Sequence, residues 1–314
     1  LIIWLNIVAQ LSIYMIYENY ESVLNQESAL NKARFNQCPC CASARSSVVW
    51  DNPVLKSFQN WKDFMYGGRQ FIEKIIQCDD CGFRYIQTPK IRDDFYAQAD
   101  NSSYSSLKNA RLRYFLELKT ALQMRGLILP DEANILDVGA GEGDWLTMWP
   151  EVRHKYATEM QPILIRRMKE RGIITMPTLD NLKDTRCHLI SAFDFLEHVE
   201  DPNQLLQLIH DRLVAGGTIV IGVPDMGKWV ARLFGTRYYL YCPMHYSYFT
   251  AKSLHLLLSK YFSHIDIFPS PPMRTTLNGM IKWVFPKLQR ATLDKIWLPL
   301  GYRASLIAIA RKAL

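Results

Sequence analysis

The 314-residue chain carries 37 Lys and Arg against 30 Asp and Glu, a net charge of +7 with 49% apolar residues. That size allows one large or two modest domains, and the ordinary apolar and charged fractions exclude wholesale disorder. The basic balance admits an anionic substrate or surface, but no run of Lys and Arg is dense enough for a nucleic-acid arm, so no nucleic-acid partner is expected.

Residues 1–17 contain no charge and lack the basic start and small-residue cleavage site of a signal peptide. Asn6, Gln10 and Ser12 interrupt them, and Glu18, Glu21 and Glu27 follow where the cytosolic flank of a span would carry Lys and Arg. Residues 1–35 are therefore an apolar extension, and a packed helix or a reading-frame artefact is preferred to a membrane anchor.

Five of the seven cysteines lie near the N-terminus, as Cys38, Cys40 and Cys41 and as Cys78 and Cys81. Two C-x-x-C pairs without a secretory signal point to a metal in a reducing, cytoplasmic compartment, not to disulfides. Cys38, Cys41, Cys78 and Cys81 are expected to bring four thiolates to one structural zinc, with Cys40 a spare or alternative ligand. Cys81-Gly82 followed by Phe83-Arg84-Tyr85-Ile86 reads as a knuckle turning into a strand. Residues 36–95 thus form a small zinc-ribbon-like unit, although the gap between the pairs is long and Ala42 stands where the first knuckle often has Gly.

From Ser102 to Gly126 the pattern is helical, with Leu112, Phe115, Leu116 and Leu122 on one face and Arg111, Arg113, Glu117 and Lys119 mostly elsewhere. Ile135-Leu136-Asp137-Val138 then reads as a buried strand running into Gly139-Ala140-Gly141-Glu142-Gly143. Glycines suit a sharp turn with positive φ and the close approach of a ligand at a strand's carboxyl end. The third Gly comes one residue too early for a dinucleotide loop, and the acid before the first would repel phosphate but suits an ammonium group.

Helix and strand alternate afterwards. A helix is expected from Gly143 to Trp149, strands at His154–Glu159, Ile173–Met176 and His188–Ala192, and a helix opened by Pro162 and closed by Gly172. Pro202 opens a helix that reaches Leu213, Gly216-Gly217 turns the chain, and Thr218–Val223 is a fifth strand. Helices near Met226–Phe234 and Thr250–Phe262 follow, the latter capped by Thr250, with late strands at His264–Phe268 and Ala304–Ala310. Leu277 to Leu300, rich in Trp, Phe, Leu, Lys and Arg, reads as an inserted amphipathic helix that packs on the sheet in preference to touching a membrane surface.

Asp137-x-Gly139-x-Gly141-x-Gly143 after a strand resembles the class I S-adenosylmethionine (SAM)-dependent methyltransferases. So do Phe193-Asp194-Phe195-Leu196-Glu197-His198-Val199 with Asp201-Pro202, and Leu213-Val214-Ala215-Gly216-Gly217. The resemblance implies an α/β Rossmann-like, seven-stranded sheet over residues 96–314, with the last strand antiparallel beside the sixth. It implies SAM as cofactor and a small-molecule acceptor as partner. Asp137, Gly139 and Gly141 would face the methionine part and Glu159 the ribose. Asp180 would read the adenine amino group, and Ala192 and Phe193 would lie against the cofactor. His198 is read as bracing its loop in preference to acting as a base. Cys242-Pro243-Met244-His245-Tyr246-Ser247-Tyr248-Phe249 resembles the His-x-x-Tyr-Phe segment of sugar and polysaccharide-pathway methyltransferases, many of which carry an N-terminal double C-x-x-C unit. His245 and Tyr248 are the candidate catalytic residues. Met244 replaces the Glu usual in the carbon-methylating relatives, so a sugar or sugar nucleotide is the acceptor implied without a choice between O-, N- and C-methylation. The rival readings are a nicotinamide-dependent oxidoreductase and a zinc-dependent binding protein with an inactive cofactor site.

Overall fold

The computed structural model describes residues 37–52, 71–86, 108–182, 185–238, 240–272, 274–276, 297–299 and 305–314. The apolar extension, the start of the Ser102–Gly126 helix and most of the Leu277–Leu300 segment lie outside these residues. Among the described residues no helix is long and apolar enough to cross a membrane.

In chain order the elements are β1 (Ser46–Asp51), β2 (Lys74–Cys78), β3 (Arg84–Ile86), α1 (Lys108–Gln123), β4 (Asn134–Val138), α2 (Asp144–Thr147), β5 (His154–Thr158), α3 (Pro162–Glu170), β6 (Ile174–Met176), β7 (Cys187–Phe193), α4 (Pro202–Arg212) and β8 (Leu213–Pro224). They continue with α5 (Trp229–Phe234), β9 (Ser247–Tyr248), α6 (Ala251–Leu258), β10 (Ser263–Pro269), β11 (Arg274–Thr276), β12 (Trp297–Pro299) and β13 (Ser305–Arg311).

The main sheet has the order β10-β13-β8-β7-β4-β5-β6. β4 pairs in parallel with β5 and β7, β5 with β6 and β7 with β8, while β13 lies antiparallel between β8 and β10. This is the expected seven-stranded methyltransferase-type sheet with its antiparallel last strand.

The central strands are apolar on both faces because helices cover both. Successive residues alternate between two cores. Leu136, Val138, Ile190, Ala192, Ile219, Ile221, Ala308 and Ala310 join Leu206 and Ile209 of α4 and Leu254 and Leu257 of α6. Ile135, Leu189, Val220, Ile307 and Ile309 join Leu118 and Leu122 of α1, Trp145 of α2 and Met168 of α3 on the opposite face.

β1, β2 and β3 form a second sheet, and its fourth strand is β9, contributed from far along the chain. This sheet docks on the α4–α6 side of the main one. Cys40 Sγ donates to Ser253 O (3.2 Å), and Asn203 Nδ2 and Lys260 Nζ donate to Pro39 O (2.7 and 3.1 Å). Phe83 packs on Phe249 with ring centroids 5.2 Å apart.

Several expectations are corrected in detail. The helix after the glycine loop ends at Thr147, short of Trp149. The Gly216-Gly217 turn lies within β8, where the pairing to β7 jumps from Cys187↔Leu213 to Leu189↔Thr218 and leaves a bulge. Leu116 of α1 is exposed, whereas Arg111 is buried. Trp297–Pro299, the C-terminal end of the segment read as helix, is a strand paired with β11. Thr250 caps α6 as expected, in a reciprocal capping box with Ser253.

Candidate active site

The turn after β4 is bound to the end of β5. Gly139 N donates to Thr158 Oγ1 (3.1 Å), Ala140 N to Thr158 O (3.0 Å) and Gly141 N to Glu159 Oε2 (3.0 Å). Gly139 and Gly141 adopt φ of 70° and 56°, a region costly for residues with a Cβ. A Cβ on Gly139 would also stand 2.3 Å from Phe195 Cδ2.

Glu159 accepts two further N–H groups, from Met160 (2.8 Å) and Gln161 (3.0 Å), through its other oxygen. Burial raises its pKa, against the lowering by the three N–H donors. Asp137 is buried beneath the loop, where Ser191 Oγ donates to Oδ1 at 2.6 Å. Desolvation pushes its carboxyl up to about 7, with the Ser191 bond opposing and the Glu159 charge adding. Ala192, opposite Val138 in the sheet, is wholly buried. Phe193 is half-buried against Phe115 and Trp145, at centroid distances of 5.4 and 5.2 Å. Asp180 is exposed on a short turn of 3-10 helix, between the buried Leu179 and Leu182.

Sequence reasoning missed the ionic clamp under the loop. Arg111 of α1 bonds Asp144 Oδ2 (2.7 and 3.1 Å) and reaches Glu142 Oε2 at 3.5 Å. Arg167 and Arg171 approach from α3 and just beyond, at 2.7 Å from Glu142 Oε1 and 3.2 Å from Asp144 Oδ1. Both carboxylates are almost wholly buried. The local signal was the pair of acids inside Gly141-Glu142-Gly143-Asp144, since buried carboxylates demand cations. Their partners come from separate elements and carry no spacing to read.

A second cluster lies past the carboxyl end of β7. Glu197 and His198 in a 3-10 turn and His245 before β9 each offer a ligand atom within 4.8 Å of the others. Tyr246 N donates to Glu197 O (2.7 Å) and joins the two segments. His198 Nδ1 bonds Met244 O and His245 Nδ1 bonds Leu240 O, both at 2.9 Å, with the rings edge to face at 4.8 Å. Burial lowers the His198 pKa to about 4. It lowers that of His245 to about 3, with the neighbouring His198 adding to the effect. Desolvation, reinforced by Asp194, raises the Glu197 carboxyl well above its ordinary range. Tyr248 is buried with its ring 4.6 Å from that of Tyr241 and its hydroxyl unpartnered among the described residues.

The four cysteines of the two C-x-x-C pairs converge. Their sulfurs lie within 4.8 Å of one another, with Cys38–Cys81 at 3.6 Å and Cys41–Cys78 at 3.4 Å. Cys40 is turned to Ser253 instead. Ala42 adopts φ of 60° and Gly82 of 73°, so the two knuckles take the same left-handed turn despite the missing glycine.

Residues 108–261 match the family model described as "Methyltransferase domain". No curated protein matches the chain. Among solved structures, a SAM-dependent methyltransferase from Thermotoga maritima is 16% identical, with a TM-score of 0.46 over 70% of this chain and 98% of that one. One from Archaeoglobus fulgidus is 15% identical, with a TM-score of 0.46 over 67% of this chain and 100% of that one. The plantazolicin methyltransferase BpumL, solved with S-adenosylhomocysteine (SAH), is 14% identical, with a TM-score of 0.46 over 71% and 92%. With the family match lying on a sheet of this order, residues 108–261 carry the Rossmann-like α/β fold of a methyltransferase domain.

Proposed function

We propose that the chain transfers a methyl group from SAM to a small-molecule acceptor. The observation that carries this reading is the glycine turn closed onto Glu159, at the adjoining carboxyl ends of β4 and β5. Open α/β sheets bind ligands at that edge. The residues suit SAM in chemistry: an acid beneath the turn for an ammonium group, a carboxylate after β5 for ribose hydroxyls, and the apolar Ala192 and Phe193 at the end of β7. SAM, when bound, supplies an electrophilic methyl group, and the protein's part is to hold and orient the acceptor against it. Asp137, Gly139, Gly141, Glu159, Asp180, Ala192 and Phe193 are the proposed cofactor contacts.

His245 and Tyr248 are proposed for the acceptor side. The strongly lowered pKa of His245 keeps its imidazole neutral, able to offer a lone pair but a weak proton store. A sugar or sugar-nucleotide acceptor rests on the resemblance of the segment Cys242 to Phe249. Cys38, Cys41, Cys78 and Cys81 suit one structural zinc: four thiols, already converged, match its preferred donor set.

Titration calorimetry of the protein with SAH and with NAD tests the reading. Binding of SAH but not NAD is expected. Glu159→Ala should weaken SAH by about 1.5–3 kcal/mol, the worth of hydrogen bonds to a charged acceptor. Unchanged SAH affinity in a folded variant would refute the ribose contact.

A further inference from the structure

We propose that Glu197, His198 and His245 form a binding site for a divalent transition-metal cation, distinct from the four-cysteine cluster. Three observations converge. The first is distance: one ligand atom from each residue lies within 4.8 Å of the other two, and His198 Nε2 stands 3.8 Å from Glu197 Oε1. That gap is too long for a direct hydrogen bond.

The second is tautomer. A backbone carbonyl only accepts, so Nδ1 of each neutral ring must carry the proton it donates to Met244 O or Leu240 O. The lone pair is then on Nε2 in both rings. Metal-ligating histidines are held in just this way, with the second nitrogen donated to a carbonyl that fixes ring orientation and tautomer.

The third is the carboxylate. Glu197 is 1% exposed, and neither of its oxygens has a hydrogen-bond partner among the described residues. A buried polar group without a partner is rare and calls for an unseen ligand or proton. Two imidazole lone pairs and the Glu197 carboxyl thus lie within reach of one ion, and a divalent cation can take the place of the carboxyl proton and be coordinated by all three.

Two nitrogens and one carboxylate suit Mn²⁺, Fe²⁺, Co²⁺ or Zn²⁺, and three protein ligands leave positions open to an oxygen donor. The site lies past the end of β7, next in the sheet to β4 and its glycine turn, on the edge where the acceptor would enter.

Mn²⁺ is the discriminating probe, because it stands below Zn²⁺ in the affinity order and will not displace zinc from thiolates. The full chain, purified with zinc at its cysteines, is titrated with Mn²⁺ and followed by electron paramagnetic resonance. Binding of one Mn²⁺ per chain is expected, with pulsed spectra showing coupling to imidazole nitrogens. Glu197→Gln and His245→Gln should each weaken binding by more than the about 10–100-fold typical of losing an outer-sphere partner. His255→Gln, at an exposed histidine of α6 outside both clusters, should leave the Mn²⁺ affinity unchanged. Absence of Mn²⁺ binding, or of nitrogen coupling, in the wild-type protein overturns the site whatever the variants do. So does binding unaltered in Glu197→Gln. SAH titration of the same samples separates the two readings: SAH bound without Mn²⁺ defeats only the metal site, and Mn²⁺ bound without SAH defeats only the methyl-transfer reading.

Discussion

Arg111 ties helix α1 to both acids of the glycine turn. Helical spacing places it off the apolar face of α1, yet it is buried between two carboxylates of the glycine turn. Removing one member of a buried ion group leaves the others charged and desolvated, at a cost of about 3–5 kcal/mol. Arg111→Ala should therefore lower stability by that order in urea denaturation, far more than Arg113→Ala on the exposed face. Asp137 sets a pH dependence. Its folded pKa of about 7 lies above the unfolded value of about 3.9. The folded state then holds a proton that the unfolded chain has released. This contribution to stability is full below the unfolded value and is lost as pH rises through about 7. Unfolding free energy measured from about pH 5 to about pH 8 should fall in the wild type and run flatter in Asp137→Asn.

At the scale of elements, most of the alternation was legible in the residues. Pro162 and Gly172 bracket α3, Thr250 caps α6, and the apolar runs of β4, β7 and β8 are buried strands. These features depend on φ restriction, capping and periodicity within a few residues. Gly216-Gly217 reads as a turn before a strand at Thr218; in the structure the glycines lie inside β8, at the irregularity after which pairing with β7 resumes at Thr218. Thr250→Ala removes the bond to Ser253 N and should cost about 0.5–2 kcal/mol in thermal or urea unfolding. Thr250→Ser should retain most of the cap.

For the molecule as a whole, the cysteine unit is joined to the later chain by a shared sheet. β9 closes the β1-β2-β3 sheet, and the residue run that forms it begins directly after the His245 segment. If zinc holds the four thiolates, chelation should loosen both partners together. Hydrogen exchange, followed by mass spectrometry, should rise across β2, β3 and β9 and around His245 once the metal is removed. The central strands β4, β7 and β8 should stay protected. Exchange confined to residues before Ile86 would contradict this coupling.

Local sequence determined the βα alternation, the glycine turn and its acid, and the two cysteine pairs, because each is written within a few adjacent residues. The tertiary structure decided which distant groups meet. His198 meets the carbonyl of Met244, 46 residues on, and Arg111 meets Asp144, 33 residues on. No periodicity links such positions. Only the burial of their charges and lone pairs, once the sheet brings the segments together, makes those partners necessary.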